Sequence, residues 1–335
     1  MTGQPAPAPL GIALGDPAGI GPEVVAKAWE ARGARALPCF FTMGDPAAVR
    51  QVWDGPVAEI AAPHEAAAHF ASALPVLAVA EAGPVTPGVP TVDGARCALA
   101  SLEAGIALAR SGEAGALVTA PVSKAELYAI GFTHPGQTEF VAERCGVAAA
   151  DAVMMLAGPG LRVVPLTIHE PLAKVPELLT VDLILSRART TARGLQRDFG
   201  IAAPRLVLAG LNPHAGEGGA IGREEIEVLE PALAVLRAEG MDIAGPLPAD
   251  TMFHARARAG YDAALCCYHD QALVPIKTLH FDDGVNITLG LPIVRTSPDH
   301  GTAFGIAGRN LAEPGAMIAA IVMAGQAAAR RAATV

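Results

Sequence analysis

The chain has 335 residues, of which 52% are hydrophobic and 17% charged, and a formal net charge of −9 at pH 7. That length and apolar content support a buried core and two lobes, and they exclude a disordered chain. The acidic balance and the lack of any basic stripe exclude nucleic acid as a partner, so an anionic ligand has to be met by local cations.

The predicted elements alternate along the chain. Leu10–Leu14 reads as a strand and Pro22–Ala31 as a helix, with Pro22 suited to a first helical turn. Cys39–Met43 and Leu74–Val79 read as strands, with His64 and His69 on an Ala-rich helical surface between them. Helix Ala98–Arg110 and strand Ala116–Thr119 follow. Then come strand Leu161–Ile168, helix Val181–Phe199, strand Arg205–Leu211, helix Glu224–Glu239 and strand Ala263–Tyr268. Ala316–Ala329 is too short and too interrupted to span a bilayer and reads as a core-packed helix. The opening MTGQPAPAPL lacks a charged segment followed by an apolar one, so it does not read as a signal peptide. Five cysteines, none in a CxxC pair and two adjacent in an apolar run, read as buried reduced thiols of a cytoplasmic protein. The alternation predicts an α/β fold with largely parallel sheets. Lobe boundaries are expected to give residues 1–125 plus 285–335 as one lobe and 126–284 as the other.

Three histidines stand just past strand-like runs: His169 in LRVVPLTIH, His214 in RLVLAGLNPH and His269 in YDAALCCYH. Parallel α/β sheets bind ligands at the carboxyl ends of their strands, so three such strands can bring three imidazoles to one edge. Imidazole is the commonest metal ligand in proteins, and three nitrogens leave positions open for substrate. A single loop histidine would carry no such reading. Glycines 216, 218, 219 and 222 around His214 allow close approach to a ligand. Asp250 and Asp270 are carboxylates suited to orienting metal-bound imidazoles or taking a proton, although caps and turns are the commoner fate of aspartates. His134, His254 and His280 carry no supporting pattern. Lys277, Asn286 and Arg295 are polar donors in a mainly apolar stretch expected to be strand, and a cation there needs an anion such as phosphate. Gln137 and Thr138 are placed to add neutral donors from a helix start.

The blocks GDPAGIGPEV, TAPVSK, GQTEF, LNPHAGEGGAIGREE, GPLPADT, YHDQALVPIK and GVNITLGLPIVRTSPDHGTA together resemble the 4-hydroxythreonine-4-phosphate dehydrogenases of vitamin B6 synthesis. The resemblance runs from about Gly15 to about Gly308. It implies a two-lobed α/β/α fold like that of the isocitrate and isopropylmalate dehydrogenases, with an active-site cleft between an NAD-side lobe and a metal-binding, dimerising lobe. It implies a homodimer with a divalent metal (zinc, magnesium or cobalt) near the subunit interface. The metal falls on His169, His214 and His269. Substrate, a small phosphorylated hydroxy acid, falls on Gln137, Thr138, Lys277, Asn286 and Arg295. DHGTAFGIAGRNLAEP resembles the adenine-side loop of those dehydrogenases, which puts NAD, or NADP, on His300, Gly301, Thr302 and Ala303. Asp250, Asp270 and Lys277 are the implied catalytic residues, and the base is left open between the two aspartates and metal-bound hydroxide. The implied reaction is oxidation of 4-phosphooxy-L-threonine followed by loss of carbon dioxide, giving 3-amino-2-oxopropyl phosphate.

The chain departs from the family's pattern at three places. Gln137 stands where the family usually has His, Glu170 where an apolar residue is more usual, and Gly305 where an acid is common. Two rival functions follow from the same residues: a sibling dehydrogenase for threonate or erythronate 4-phosphate, and a metal-dependent hydrolase.

Overall fold

The computed structural model describes residues 7–334; the first six residues of the stretch read as no signal peptide lie outside them. The chain is α/β, with strands β1 (Leu10–Ala13), β2 (Phe40–Gly44), β3 (Val57–Ile60), β4 (Leu74–Ala78), β5 (Leu117–Thr119), β6 (Val153–Gly158), β7 (Leu161–Pro165), β8 (Arg205–Ala209), β9 (Asp242–Leu247), β10 (Ala263–Cys266), β11 (Val285–Leu289) and β12 (Arg295–Pro298). It divides into two compact units, residues 1–146 with 291–335, and residues 147–290. These divisions fall later in the chain than residues 125 and 284, because helix Gln137–Arg144 goes with the first unit and β11 with the second.

In the first unit the strand order is β3-β4-β2-β1-β5-β12, and every pair is parallel. Strands buried on both faces need no polar alternation, and β1, β2 and β5 are buried at every position. The helix expected over Ala98–Arg110 runs further, Val92–Ser111, because Thr91 caps it and accepts from Gly94 N, and Gly112 ends it at φ 82°. The last helix, Gly315–Thr334, buries Met317, Ala320, Ile321, Ala324 and Ala327, and packs on β12. Thr296 of β12 donates to Ala320 O at 2.9 Å.

In the second unit the order is β11-β6-β7-β10-β8-β9. β11 and β7 each pair antiparallel with β6; β7, β10, β8 and β9 run parallel. Helix Val181–Phe199 is capped by Thr180, which accepts from Leu183 N, and buries Ile184, Leu185, Ala188, Thr191 and Leu195 at helical spacing. Three expectations fail here for local reasons. The run Leu161–Ile168 stops being strand at Pro165, and its antiparallel partner β6 is an element of its own. The stretch Glu224–Glu239 opens with a π turn, Glu225–Leu229, before the α-helix Glu230–Ala238. Strand β10 ends at Cys266, and His269 starts a helix, His269–Leu279, so Lys277 lies on a helix rather than on an apolar strand.

Among the described residues no helix is long and apolar enough to cross a membrane. All five cysteines are free thiols, and Cys97, Cys145, Cys266 and Cys267 are buried, while Cys39 is partly exposed. Burial pushes the Cys97 thiol up to about 11 and raises Cys145, Cys266 and Cys267 as well. Thiolate is the reactive species. Native protein at about pH 8, below the usual thiol value of ~8.5, should therefore show at most a single fast equivalent with a disulfide reagent, from Cys39. The other four should react only in denaturant. Rapid reaction of three or more thiols in the folded protein would contradict this packing.

Candidate active site

In the second unit, β7, β10 and β8 lie side by side and parallel, so their carboxyl ends share one edge. His169 follows β7, His269 follows β10 and His214 follows β8. Hydrogen bonds lace these ends together. Leu166 N donates to Cys266 O at 2.7 Å, and Thr167 Oγ1 donates to Cys267 O at 2.8 Å. The buried amide of Gln271 accepts from Cys267 N at 2.6 Å and donates to Gly210 O at 2.8 Å, tying β10 to β8.

The rings of His169 and His269 stand 5.5 Å apart, centre to centre, and are tilted by 40°. His269 Nδ1 donates to Asp270 Oδ1 at 2.7 Å, and His214 Nδ1 donates to Glu217 Oε2 at 2.8 Å. A carboxylate on Nδ1 fixes the tautomer and leaves Nε2 to bind a metal, which is the usual outer arrangement of histidine sites. The structure thus brings two of the three expected imidazoles together. His214 stays on Glu217, and among the described residues no three His, Cys, Asp or Glu side chains are gathered around one point. Asp270 accepts from the His269 ring, whereas Asp250 is exposed on the turn Ala249–Thr251, beside the segment Pro213–Gly219.

The backbone at the histidines is costly. His169 has φ 42°. His214, Ala215, Gly216, Glu217 and Gly218 are all left-handed, at φ 53°, 52°, 79°, 46° and 67°. Left-handed backbone costs a non-glycine residue on the order of 1–2 kcal/mol. Strain of this kind persists only where surrounding structure enforces it, and it gathers at functional sites. The donor set also suits a metal: neutral imidazoles favour zinc and its neighbours among the first-row metals. Two further expected residues lie in this unit. Lys277 is half-buried in the last turn of its helix, and Asn286 sits on β11 with a buried Oδ1 that has no hydrogen-bond partner among the described residues.

In the first unit, Arg295 opens β12 and is 3% exposed. Its Nη2 donates to Thr119 Oγ1 at 2.8 Å and to Gln137 Oε1 at 3.4 Å, and its Nη1 to Thr138 Oγ1 at 3.5 Å. These three acceptors are neutral. Burial lowers the guanidinium from its ordinary value to about 10, against a small opposing pull from Glu139. Gln137 and Thr138 open helix Gln137–Arg144, whose Gly136 cap offers no side-chain bond to the first turn. A desolvated cation beside open helical N–H groups is a place that an anion stabilises.

The loop His300–Ala303 also belongs to this unit. His300 Nε2 is buried without a hydrogen-bond partner among the described residues, and its Nδ1 is 3.1 Å from Gly301 O. Gly301 has nothing within 4 Å of the place where a Cβ would stand, and Ala303 is left-handed at φ 44°. The loop is anchored through Thr302, whose carbonyl accepts from Ile20 N at 3.0 Å. An orphaned ring nitrogen and an open glycine suit a ligand such as a dinucleotide. Thr119, Glu217, Glu225 and Gln271 carry no site role that the sequence alone assigns. Only the blocks TAPVSK, LNPHAGEGGAIGREE and YHDQALVPIK, in which they lie, marked their neighbourhood. The remaining histidines have structural places: His64 and His69 are exposed, His254 caps the helix Ala255–Arg258, His134 pairs with Glu143, and His280 accepts from Gly160 N.

The family model described as pyridoxal phosphate biosynthetic protein PdxA matches residues 36–324. A relative from Zymomonas mobilis, named 4-hydroxythreonine-4-phosphate dehydrogenase, is 61% identical and is covered over 96% of each chain. The crystal structure of the 4-hydroxythreonine-4-phosphate dehydrogenase of Klebsiella pneumoniae superposes with a TM-score of 0.87 at 33% identity, over 97% of this chain and 99% of that one. A terephthalate 1,2-cis-dihydrodiol dehydrogenase from Burkholderia xenovorans has a TM-score of 0.65 at 32% identity, over 95% and 98%.

Proposed function

Because the chain belongs to the PdxA family of pyridoxal phosphate biosynthetic proteins, we propose that it is the NAD-dependent enzyme that oxidises and decarboxylates 4-phosphooxy-L-threonine to 3-amino-2-oxopropyl phosphate. The observation that carries the reading is the pair of imidazoles, His169 and His269, held 5.5 Å apart at adjacent strand ends. The metal ligands are His169, His214 and His269. The chain forms a homodimer, and these three imidazoles would hold the metal near the subunit interface. Zinc, cobalt and magnesium remain the candidate metals, and the cytoplasm the compartment.

A divalent metal on these imidazoles supplies fixed positive charge where the substrate's oxygen gains negative charge. His300, Gly301, Thr302 and Ala303 would hold NAD, or NADP, which would supply the hydride acceptor when bound. On the first unit, Arg295, Thr138 and Gln137 bind the substrate's phosphate, and the guanidinium fork orients it. On the second unit, Lys277 and Asn286 contact substrate, and binding energy far from the reacting carbon serves to position it. Asp270 keeps Nε2 of His269 available by holding its Nδ1 proton. Asp250 and Asp270 are the side chains that are candidates for moving the hydroxyl proton, and Lys277 serves catalysis by positioning the substrate.

The test is NADH formation from 4-phosphooxy-L-threonine, with and without a chelator, beside threonate and erythronate 4-phosphates. Chelator-sensitive NADH from the amino substrate is expected. A second reading, a sibling dehydrogenase for one of the non-amino acids, is favoured by one observation: neutral Gln137 bonds Arg295 and Ala120 O where the family usually has His. Preference for threonate or erythronate 4-phosphate would establish that reading instead. Turnover without nicotinamide would point to the hydrolase.

A further inference from the structure

The left-handed turn that carries His214 has an identifiable support. Glu225 is 2% exposed. Its Oε1 accepts from Asn212 N at 2.8 Å and its Oε2 from Asn212 Nδ2 at 2.9 Å. The same Nδ2 also donates to Glu224 Oε2 at 2.7 Å. Asn212 caps the segment Pro213–Gly219, and its carbonyl accepts from Ala215 N at 3.1 Å. The carboxylate thus clamps the residue from which the turn departs, through both its backbone and its side chain.

The surrounding chain makes room for that clamp. A Cβ on Gly216 would lie 2.6 Å from Glu225 Oε2, and one on Gly222 would lie 2.2 Å from Asn212 Nδ2. The π turn at Glu225–Leu229 begins at the clamping residue itself, and inserted turns of this kind are frequent at functional sites. A buried carboxylate whose acceptor oxygens are spent on one asparagine is a costly way to close a surface loop, since an apolar residue would fill the space without desolvating a charge. The cost is explained by the strained backbone it holds and by the imidazole on that backbone.

We propose that Glu225 is a positioning residue: through Asn212 it holds the left-handed turn His214–Gly218 and so sets the His214 ring for metal binding. This rests on the metal reading above, and the test separates the two. Glu225→Gln keeps the shape but sets an amide N–H₂ against Asn212 Nδ2, so one of the two bonds is lost. Three readouts are compared with wild type: amide exchange in the metal-free protein, melting temperature, and cobalt or zinc affinity by chelator competition. The expected result is faster exchange confined to residues 212–222, a melting temperature within a few degrees of wild type, and metal affinity lower by about 10–100-fold, the usual loss when an outer partner of a ligand is removed. Asn212→Ala, which keeps the backbone bond to Glu225, should show the same pattern more weakly, and it replaces the first variant if that one does not fold. Unchanged exchange in 212–222 would overturn the clamp. Faster exchange with unchanged metal affinity would overturn the positioning role. A wild-type protein that binds no metal, while the exchange effect persists, would sink the metal reading and with it the purpose assigned to the clamp.

Discussion

If His269 is the metal ligand proposed above, replacing it with alanine should abolish turnover and metal binding while leaving the fold intact. The His269 side chain is about one-third exposed and its ring contacts are with His169 and Asp270, so its loss removes little packing. Substitutions of that kind usually change stability by no more than about 0.5 kcal/mol. The effect on metal should be far larger. Removing an outer partner of a ligand costs about 10–100-fold in affinity, and removing the ligand itself should exceed that. We expect kcat with 4-phosphooxy-L-threonine to fall by at least ~10³-fold, with far-UV circular dichroism and melting temperature of the metal-free protein unchanged. Metal content by elemental analysis should fall in parallel. His214→Ala should behave likewise. Near-normal activity in either variant would reject the assigned ligand set. His64→Ala, on the surface, is the control that should change nothing.

Arg295→Met should separate binding from stability in the opposite sense. Methionine matches the arginine stem in length and needs no solvation. The change removes the cost of desolvating the guanidinium but also its hydrogen bonds to Thr119, Gln137 and Thr138. With these two effects opposed, the melting temperature of the ligand-free protein should shift by only a few degrees. Binding of the phosphate ester should collapse. Hydrogen bonds to a charged group contribute about 1.5–3 kcal/mol each, so losing two should lower kcat/KM by roughly 10²–10⁴-fold. Inorganic phosphate should raise the melting temperature of the wild type by mass action and leave the variant unmoved. A kcat/KM within tenfold of wild type would dismiss Arg295 as a phosphate ligand. The pH dependence is also fixed. With its pKa held at about 10, the guanidinium keeps its proton through the neutral range and loses it only as pH rises past that value. Phosphate affinity should not fall through deprotonation of Arg295 anywhere below roughly pH 9.

The three histidines show how far a linear reading reaches. Apolar runs ending in LTIH, LNPH and CYH mark strand ends, because a strand buried on both faces has to be apolar throughout and polar chemistry begins where it stops. Adjacency of those ends depends on the strand order β7-β10-β8, which pairs segments more than 40 residues apart and has no local signal. Lys277 was misplaced on a strand because the run ALVPIKTL is equally apolar in either conformation; the helix is set by packing against β7 and β10. Glu225 reads as an ordinary residue of a helix start and Gln271 carries no signal of its own, and only the folded chain shows their side chains turned inward onto Asn212, Cys267 and Gly210.

The sequence by itself determined the α/β class and the family through seven ordered blocks, because those depend on residue type and short spacing, and it nominated the candidate site residues. Tertiary structure alone decided three things. It placed two imidazoles 5.5 Å apart while His214 remained on Glu217. It bent the chain at His214–Gly218 into a left-handed turn. It buried Arg295 among Thr119, Gln137 and Thr138. Each of these depends on groups distant in sequence that desolvate, clamp or turn a side chain. Backbone strain and a lowered guanidinium pKa are properties of such surroundings, and no local pattern of residues encodes them.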